Sequence, residues 1–146
     1  MTWTLFAIGK PKLAFARAGV EEYALRMRPL ASVKLEWLKS GTRESESAQL
    51  LQRSEGMFRI ALDERGEQFS SRAFAARIAG WEQQSIKSVA LLIGGADGHT
   101  ETVRQCANAV WSLSTLTLQH ELAIVVLFEQ IYRAYSIKAG LPYHRD

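Results

Sequence analysis

A chain in which short apolar runs alternate with longer amphipathic stretches predicts the α/β class, a parallel sheet covered by helices, and this sequence alternates in that way throughout. Two further observations narrow the class. The 146 residues, 47% of them hydrophobic, suffice for one well-buried core and fall short of two. No internal repeat, low-complexity tract or linker divides the chain, so residues 1–146 are expected to form a single domain.

The apolar runs predict strands at 3–8, 33–38, 58–62, 89–93 and 110–113. The intervening segments are long enough for helices to cross back over the sheet. The first helix is expected at 13–27 and the second at 44–55, with a third opening after Ser70 and Ser71, residue types that suit an N-cap. In a fourth helix, Val103, Cys106, Ala107 and Val110 fall at i, i+3, i+4 and i+7, which places Cys106 in the core without chemistry of its own. The last helix, 121–139, is apolar over far more than one stripe, from Leu122 through Phe128 to Tyr135. Such a helix needs apolar partners on two sides, and a homodimer interface would supply the second. Glu129 and Arg133 stand four apart in the favourable acid-before-base order.

Composition limits the function classes. The single cysteine excludes an internal disulfide and a zinc-type cysteine cluster, and suits a reducing compartment. The first apolar run lacks a preceding basic segment and ends at Gly9-Lys10-Pro11, too short for a membrane span, so a cytoplasmic location is expected. The formal charge of +3 is unevenly spread. Residues 1–43 hold eight Lys or Arg against three acids, a net of +5, whereas the remainder nets −2. Clustered cations of that kind can track a phosphate backbone, and they can equally be a solvated surface.

In open parallel sheets ligands bind beyond the carboxyl ends of the strands, which directs attention to three loops. Residues 61–66, Ala-Leu-Asp-Glu-Arg-Gly, read on their own as a charged turn closed by Gly66. Residues 92–98, Leu-Ile-Gly-Gly-Ala-Asp-Gly, have the glycines that let backbone approach a ligand, but neither the dinucleotide fingerprint nor a P-loop spacing. Residues 113–120, Leu-Ser-Thr-Leu-Thr-Leu-Gln-His, alternate hydroxyls with leucines and can wall an apolar ligand while offering backbone amides. His99, His120 and His144 are too far apart in sequence to form a metal-ligand spacing, so no metal is expected, and His120 reads as a helix-start residue. The absence of a G-x-S-x-G elbow argues against a hydrolase.

Taken in order, Ile8-Gly9-Lys10, Glu22-Tyr23, the 61–66 loop, Leu91 through Gly98, Leu113 through Leu118, Glu129-Gln130-Ile131-Tyr132-Arg133-Ala134-Tyr135-Ser136-Ile137 and Pro142-Tyr143-His144-Arg145 resemble the large-subunit ribosomal RNA pseudouridine N3-methyltransferase family, of the knotted SPOUT class. The resemblance covers the whole chain. It implies a three-layer fold with a deep C-terminal trefoil knot, a homodimer, S-adenosylmethionine as cofactor and 23S ribosomal RNA, in assembled ribosomes, as substrate. It also implies that Leu62, Gly94, Leu113, Ser114, Thr115, Leu116, Thr117 and Leu118 hold the cofactor in a bent shape. For the reacting side the candidates are Tyr143, His144, Arg145 and His120, contributed to a shared pocket by both subunits. Family members commonly carry proline and arginine where this sequence has Gln119 and Ile124. Gln119 is expected to loosen the loop before the last helix, and Ile124 removes a cation. These two departures are the support for an alternative, a non-catalytic RNA-binding or ribosome-assembly module on the same fold.

Overall fold

The computed structural model describes residues 1–146. Five parallel strands, β1 (Thr2–Ile8), β2 (Ser32–Leu38), β3 (Phe58–Glu67), β4 (Ser88–Ile93) and β5 (Ala109–Trp111), form one sheet in the order β2-β1-β4-β3-β5. Helices α1 (Ala14–Met27), α3 (Ser71–Gln83) and α5 (His120–Lys138) cover one face, while α2 (Arg43–Arg53) and α4 (Glu101–Cys106) cover the other. The apolar runs are continuous because the central strands are buried on both faces. Along β1, Trp3, Leu5 and Ala7 enter the larger core under α1, α3 and α5, whereas Phe6 and Ile8 enter the smaller one with Leu50 of α2 and Val103 of α4.

Four of the five helix starts have a local cause, the exception being α1, whose N-cap Leu13 offers no side-chain bond. Thr42, Ser70 and Thr100 accept hydrogen bonds from the amides of Ser45, Ala73 and Val103 and so cap α2, α3 and α4. Gln119 does the same for α5, its side-chain carbonyl accepting from Glu121 N at 2.8 Å and Leu122 N at 3.0 Å. The expected loosening at this position is therefore corrected: the glutamine fastens the helix start that a proline would otherwise fix through its φ angle. Ile124 is fully buried in the larger core, where its packing rather than a lost cation defines its role.

The fourth helix is also corrected. It stops at Cys106, Val103 is its only buried residue, and Cys106 is exposed. Asn108 explains the break: its amide donates to Arg59 O at 2.8 Å and its side chain accepts from Arg59 N at 2.8 Å, so the chain leaves the helix to join β3 and Val110 becomes a strand residue. Strand β3 runs longer than its apolar run because a second pairing, Glu67 with Trp111, follows an irregularity after Leu62. Gly66 permits that crossing, since a Cβ there would lie 2.4 Å from the Trp111 carbonyl carbon and 2.6 Å from Trp111 N. Ile124, Leu127, Phe128, Ile131, Ala134 and Tyr135 of α5 are buried on the sheet with α1 and α3 along its flanks, whereas Leu122, Ala123 and Val126 stay half-buried outside that core. One bond ties the ends of the sequence together: Trp3 Nε1 donates to Tyr135 Oη at 2.8 Å, both residues buried.

Candidate cofactor and active site

The carboxyl ends of β3, β4 and β5 open onto a cleft of about 930 Å³. Leu62, Gly94, Leu113, Ser114, Thr115, Leu116, Thr117 and Leu118, the eight residues singled out from the sequence, all line it, together with His120 from the first turn of α5. The glycine loop is built for close approach. Gly98, at φ +74°, donates its amide to Gly95 O at 3.0 Å and closes a tight turn. A side chain on Gly94 would meet the Gly98 backbone at 3.0–3.3 Å, and one on Gly95 would meet Glu46 Oε1 at 2.6 Å. Across the cleft, Ser114 Oγ accepts from Leu116 N at 2.9 Å and Ser112 Oγ donates to Ser114 O at 3.0 Å, so the hydroxyls hold the loop's shape. Leu116, 74% exposed, stands at the mouth.

Beneath the glycine loop lies a polar frame that the sequence reading passed over. Arg104 donates to Asp63 Oδ2 at 3.1 Å, to His99 O at 3.1 Å and to Glu101 Oε2 at 2.7 Å, joining the second half of β3 to the loop and helix that follow β4. The Asp63 side chain is 6% exposed. Burial alone would raise its pKa, but the Arg65 amide and the Arg104 guanidinium outweigh it and hold the carboxyl below its ordinary range. His99, buried, donates from Nε2 to Leu92 O at 3.1 Å and leaves Nδ1 without a partner, and burial lowers its pKa. Glu46, also buried, accepts from Gly41 N at 3.0 Å and presses on Gly95. The signal for this frame was weak: Asp63 and Arg104 are 41 residues apart, and each sits in a segment that reads locally as a charged turn or helix face.

The tail is ordered but lies elsewhere in the same chain. Tyr143 Oη donates to Glu129 Oε1 at 3.0 Å, and its ring packs edge-on against Tyr132 and beneath the Arg133 guanidinium. Burial and the neighbouring Tyr23 hydroxyl and Glu129 carboxylate push the Tyr143 phenol well above its ordinary pKa, so it stays protonated. His144 accepts from Arg133 at Nδ1, 3.2 Å, and donates from Nε2 to Asp146 Oδ1 at 2.8 Å. Asp146 is in turn gripped by Arg72 and, held by these two cationic or donor groups, titrates at about 2. Arg145 is exposed. Glu129 and Arg133 pair as expected, at 2.6 Å. His120 and Tyr132 are twelve residues apart on α5, about 18 Å along the helix axis. A single chain thus joins His120 to the cleft and leaves Tyr143, His144 and Arg145 outside it.

No group of three His, Cys, Asp or Glu side chains is placed to hold a metal ion, and no helix is long and apolar enough to cross a membrane. A parallel sheet with a glycine-lined cleft at the carboxyl ends of its strands defines a small-molecule-binding α/β protein. Comparison with known proteins narrows this. The family profile described as "Predicted SPOUT methyltransferase" matches residues 1–144. The chain is 46% identical over 145 residues to "Ribosomal RNA large subunit methyltransferase H" of Thermus thermophilus, covering 99% of both chains. It is 42% identical over 141 residues to the protein of the same name from Deinococcus radiodurans, covering 97% of both. Among solved structures, a probable methylase family protein from Haemophilus influenzae Rd KW20 shares the fold with a TM-score of 0.56 at 8% identity, over 99% of this chain and 70% of that one. The chain belongs to the SPOUT methyltransferase family.

Proposed function

We propose that this chain transfers a methyl group from S-adenosylmethionine to N3 of a pseudouridine in 23S ribosomal RNA, acting on assembled ribosomes in the cytoplasm. The observation that carries the reading is the cleft, in which the eight residues chosen for cofactor contact meet on one surface. The residues present fit that cofactor. Gly94 leaves backbone bare where a Cβ would crowd Gly98, and His120 Nε2 is buried in the cleft wall without a partner. Leu62, Leu113 and Leu118 supply apolar walls, and the loop from Leu113 to Leu118 supplies backbone polar groups. When bound, S-adenosylmethionine supplies a sulfonium methyl that is already electrophilic.

The protein's remaining task is to orient the base and manage one proton, because the N3 imide is unreactive until its hydrogen leaves. Tyr143, held protonated, can stack on or donate to the base but is a poor proton acceptor. Arg145, exposed, can hold a phosphate or stabilise the imide anion. His144 and His120 remain the candidates for the base. Since one chain keeps the tail away from its own cleft, the reading includes a homodimer in which Tyr143, His144 and Arg145 of one protomer complete the cleft of the other. Exposed Leu13 and Phe15 on and beside α1 offer apolar surface for such a contact. The reading also includes a threaded C-terminus. It is supported by the close passage of Gly66 and Glu67 against Trp111 and Ser112, where Ser112 N donates to Glu67 O at 3.0 Å.

Mass spectrometry of 23S RNA from cells lacking the protein tests the whole reading. One pseudouridine without its methyl group, restored by adding the purified protein and S-adenosylmethionine to those ribosomes, is the expected result. An unchanged modification pattern would refute it.

A further inference from the structure

We propose that Lys10, Lys12 and Lys39 form a phosphate-binding strip that seats the ribosomal RNA backbone beside the cleft. This deepens the substrate reading above and rests on it. The parallel sheet brings these residues together. Ile8 and Leu38 are register partners at the carboxyl ends of β1 and β2, and Gly9 N donates to Leu38 O at 2.8 Å. Lys10 and Lys39 therefore leave the sheet side by side, on the edge where the cleft opens.

The strip is held at both ends by the walls of the cleft. At one end, Lys12 N and Leu13 N donate to Glu121 Oε1 at 2.6 and 2.9 Å, which fastens the loop after β1 to the first turn of α5, next to His120. At the other, Gln49 donates to Lys39 O at 3.1 Å and Glu46 accepts from Gly41 N, so the chain is fixed as it passes to Arg43, which lines the cleft. Within the strip Gly9 turns at φ +76° and Pro11 is buried. The backbone is therefore set while the three ammonium groups remain exposed.

Charge points to an anion as the occupant. The neighbouring acids are engaged: Glu36 pairs with Arg53, Glu44 with Arg43, and Glu121 accepts the two loop amides. Lys10, Lys12 and Lys39 have no carboxylate partner. A row of unpaired cations with fixed backbone releases counterions when it meets successive phosphates, and that gain positions the polymer without reading its sequence. The target base would then enter the cleft between the strip and the glycine loop.

The test compares binding of the full-length protein to large ribosomal subunits lacking the modification, as a function of salt, for wild type and two triple variants. Lys10→Ala/Lys12→Ala/Lys39→Ala removes the strip. Arg28→Ala/Lys34→Ala/Lys87→Ala removes the same charge from exposed positions away from the cleft. The strip variant should lower the slope of log affinity against log salt by about 2 to 3, the control should change it by less than about 1, and calorimetric affinity for S-adenosylmethionine should be unchanged in both. Equal slopes for the two variants, or an unchanged slope for the strip variant, would overturn the proposal. Methyl transfer is measured separately. A wild type that binds but transfers no methyl, with the strip variant showing the expected slope change, would defeat the proposed function and leave the strip standing, whereas a wild type that does not bind the subunit defeats both.

Discussion

Acidification should destabilise this protein through His99, and the size of the effect follows from its surroundings. The ring is 4% exposed, its Nε2 donates to Leu92 O, Nδ1 makes no hydrogen bond, and burial outweighs the Leu92 and Leu62 backbone groups and the Asp63 carboxylate that favour the charged ring. Its pKa is therefore lowered from 6.5, with burial as the leading cause. The unfolded chain binds a proton near the ordinary value while the folded chain resists it. Stability is thus fully present above that value and falls as pH drops towards the folded pKa. Within the window the slope approaches about 1.4 kcal/mol per pH unit. Between about pH 7.5 and about pH 5.5 the contribution of this single group thus approaches about 1.4 kcal/mol, provided the folded pKa lies below the window. Urea unfolding at the two pH values measures it, with His99→Gln as the reference, because glutamine can donate to Leu92 O but does not titrate. The wild type should lose more stability than the variant by up to that amount. Equal losses would show that His99 is not held neutral under the glycine loop.

Two substitutions and a truncation probe separate parts of the molecule. Gly94→Val should abolish S-adenosylmethionine binding by calorimetry while the fold persists by circular dichroism, since even a Cβ there meets the Gly98 backbone at 3.0 Å; unchanged affinity would mean the pocket lies elsewhere. Tyr135→Phe removes the acceptor of the buried Trp3 indole N–H and should cost about 1–3 kcal/mol in urea unfolding, and a loss below about 0.5 kcal/mol would contradict that bond. Deleting residues 143–146 should eliminate methyl transfer to ribosomes yet spare cofactor binding; a full rate after truncation would move the search for the proton acceptor to His120 and for the phosphate-holding or orienting group to Arg133.

The fold class and all five strands were legible because the signal was local. Central strands buried on both faces produce unbroken apolar runs, and Ser70, among other caps, marks a helix start in the sequence itself. The fourth helix misled for the same reason. Four positions at helical spacing were read without the Asn108 to Arg59 pairing, a contact 49 residues apart that draws the chain into the sheet. In the site, the eight cleft residues were found by family resemblance and by the rule that strand ends carry ligands. The Asp63, Arg104 and His99 frame escaped notice because its bonds join β3 to the loop and helix after β4, and side chains of those types have unremarkable local contexts. Gln119 was misjudged for a different reason: the identity of a residue does not disclose whether its side chain turns back to cap its own helix.

The bond from Trp3 to Tyr135 spans 132 positions, and it has a consequence for how the protein is made. Synthesis delivers β1 first, yet the larger core into which Trp3, Leu5 and Ala7 point is finished by Ile124, Leu127, Phe128, Ile131, Ala134 and Tyr135 of the last helix. A nascent chain that has emerged as far as β5 must hold that sheet face open, with β1 waiting for α5. Its apolar surface is then available to chaperones or to a second unfinished chain until α5 docks. Closure therefore waits for the docking of α5 against α1 and α3, a contact of long sequence separation of the kind that slows folding.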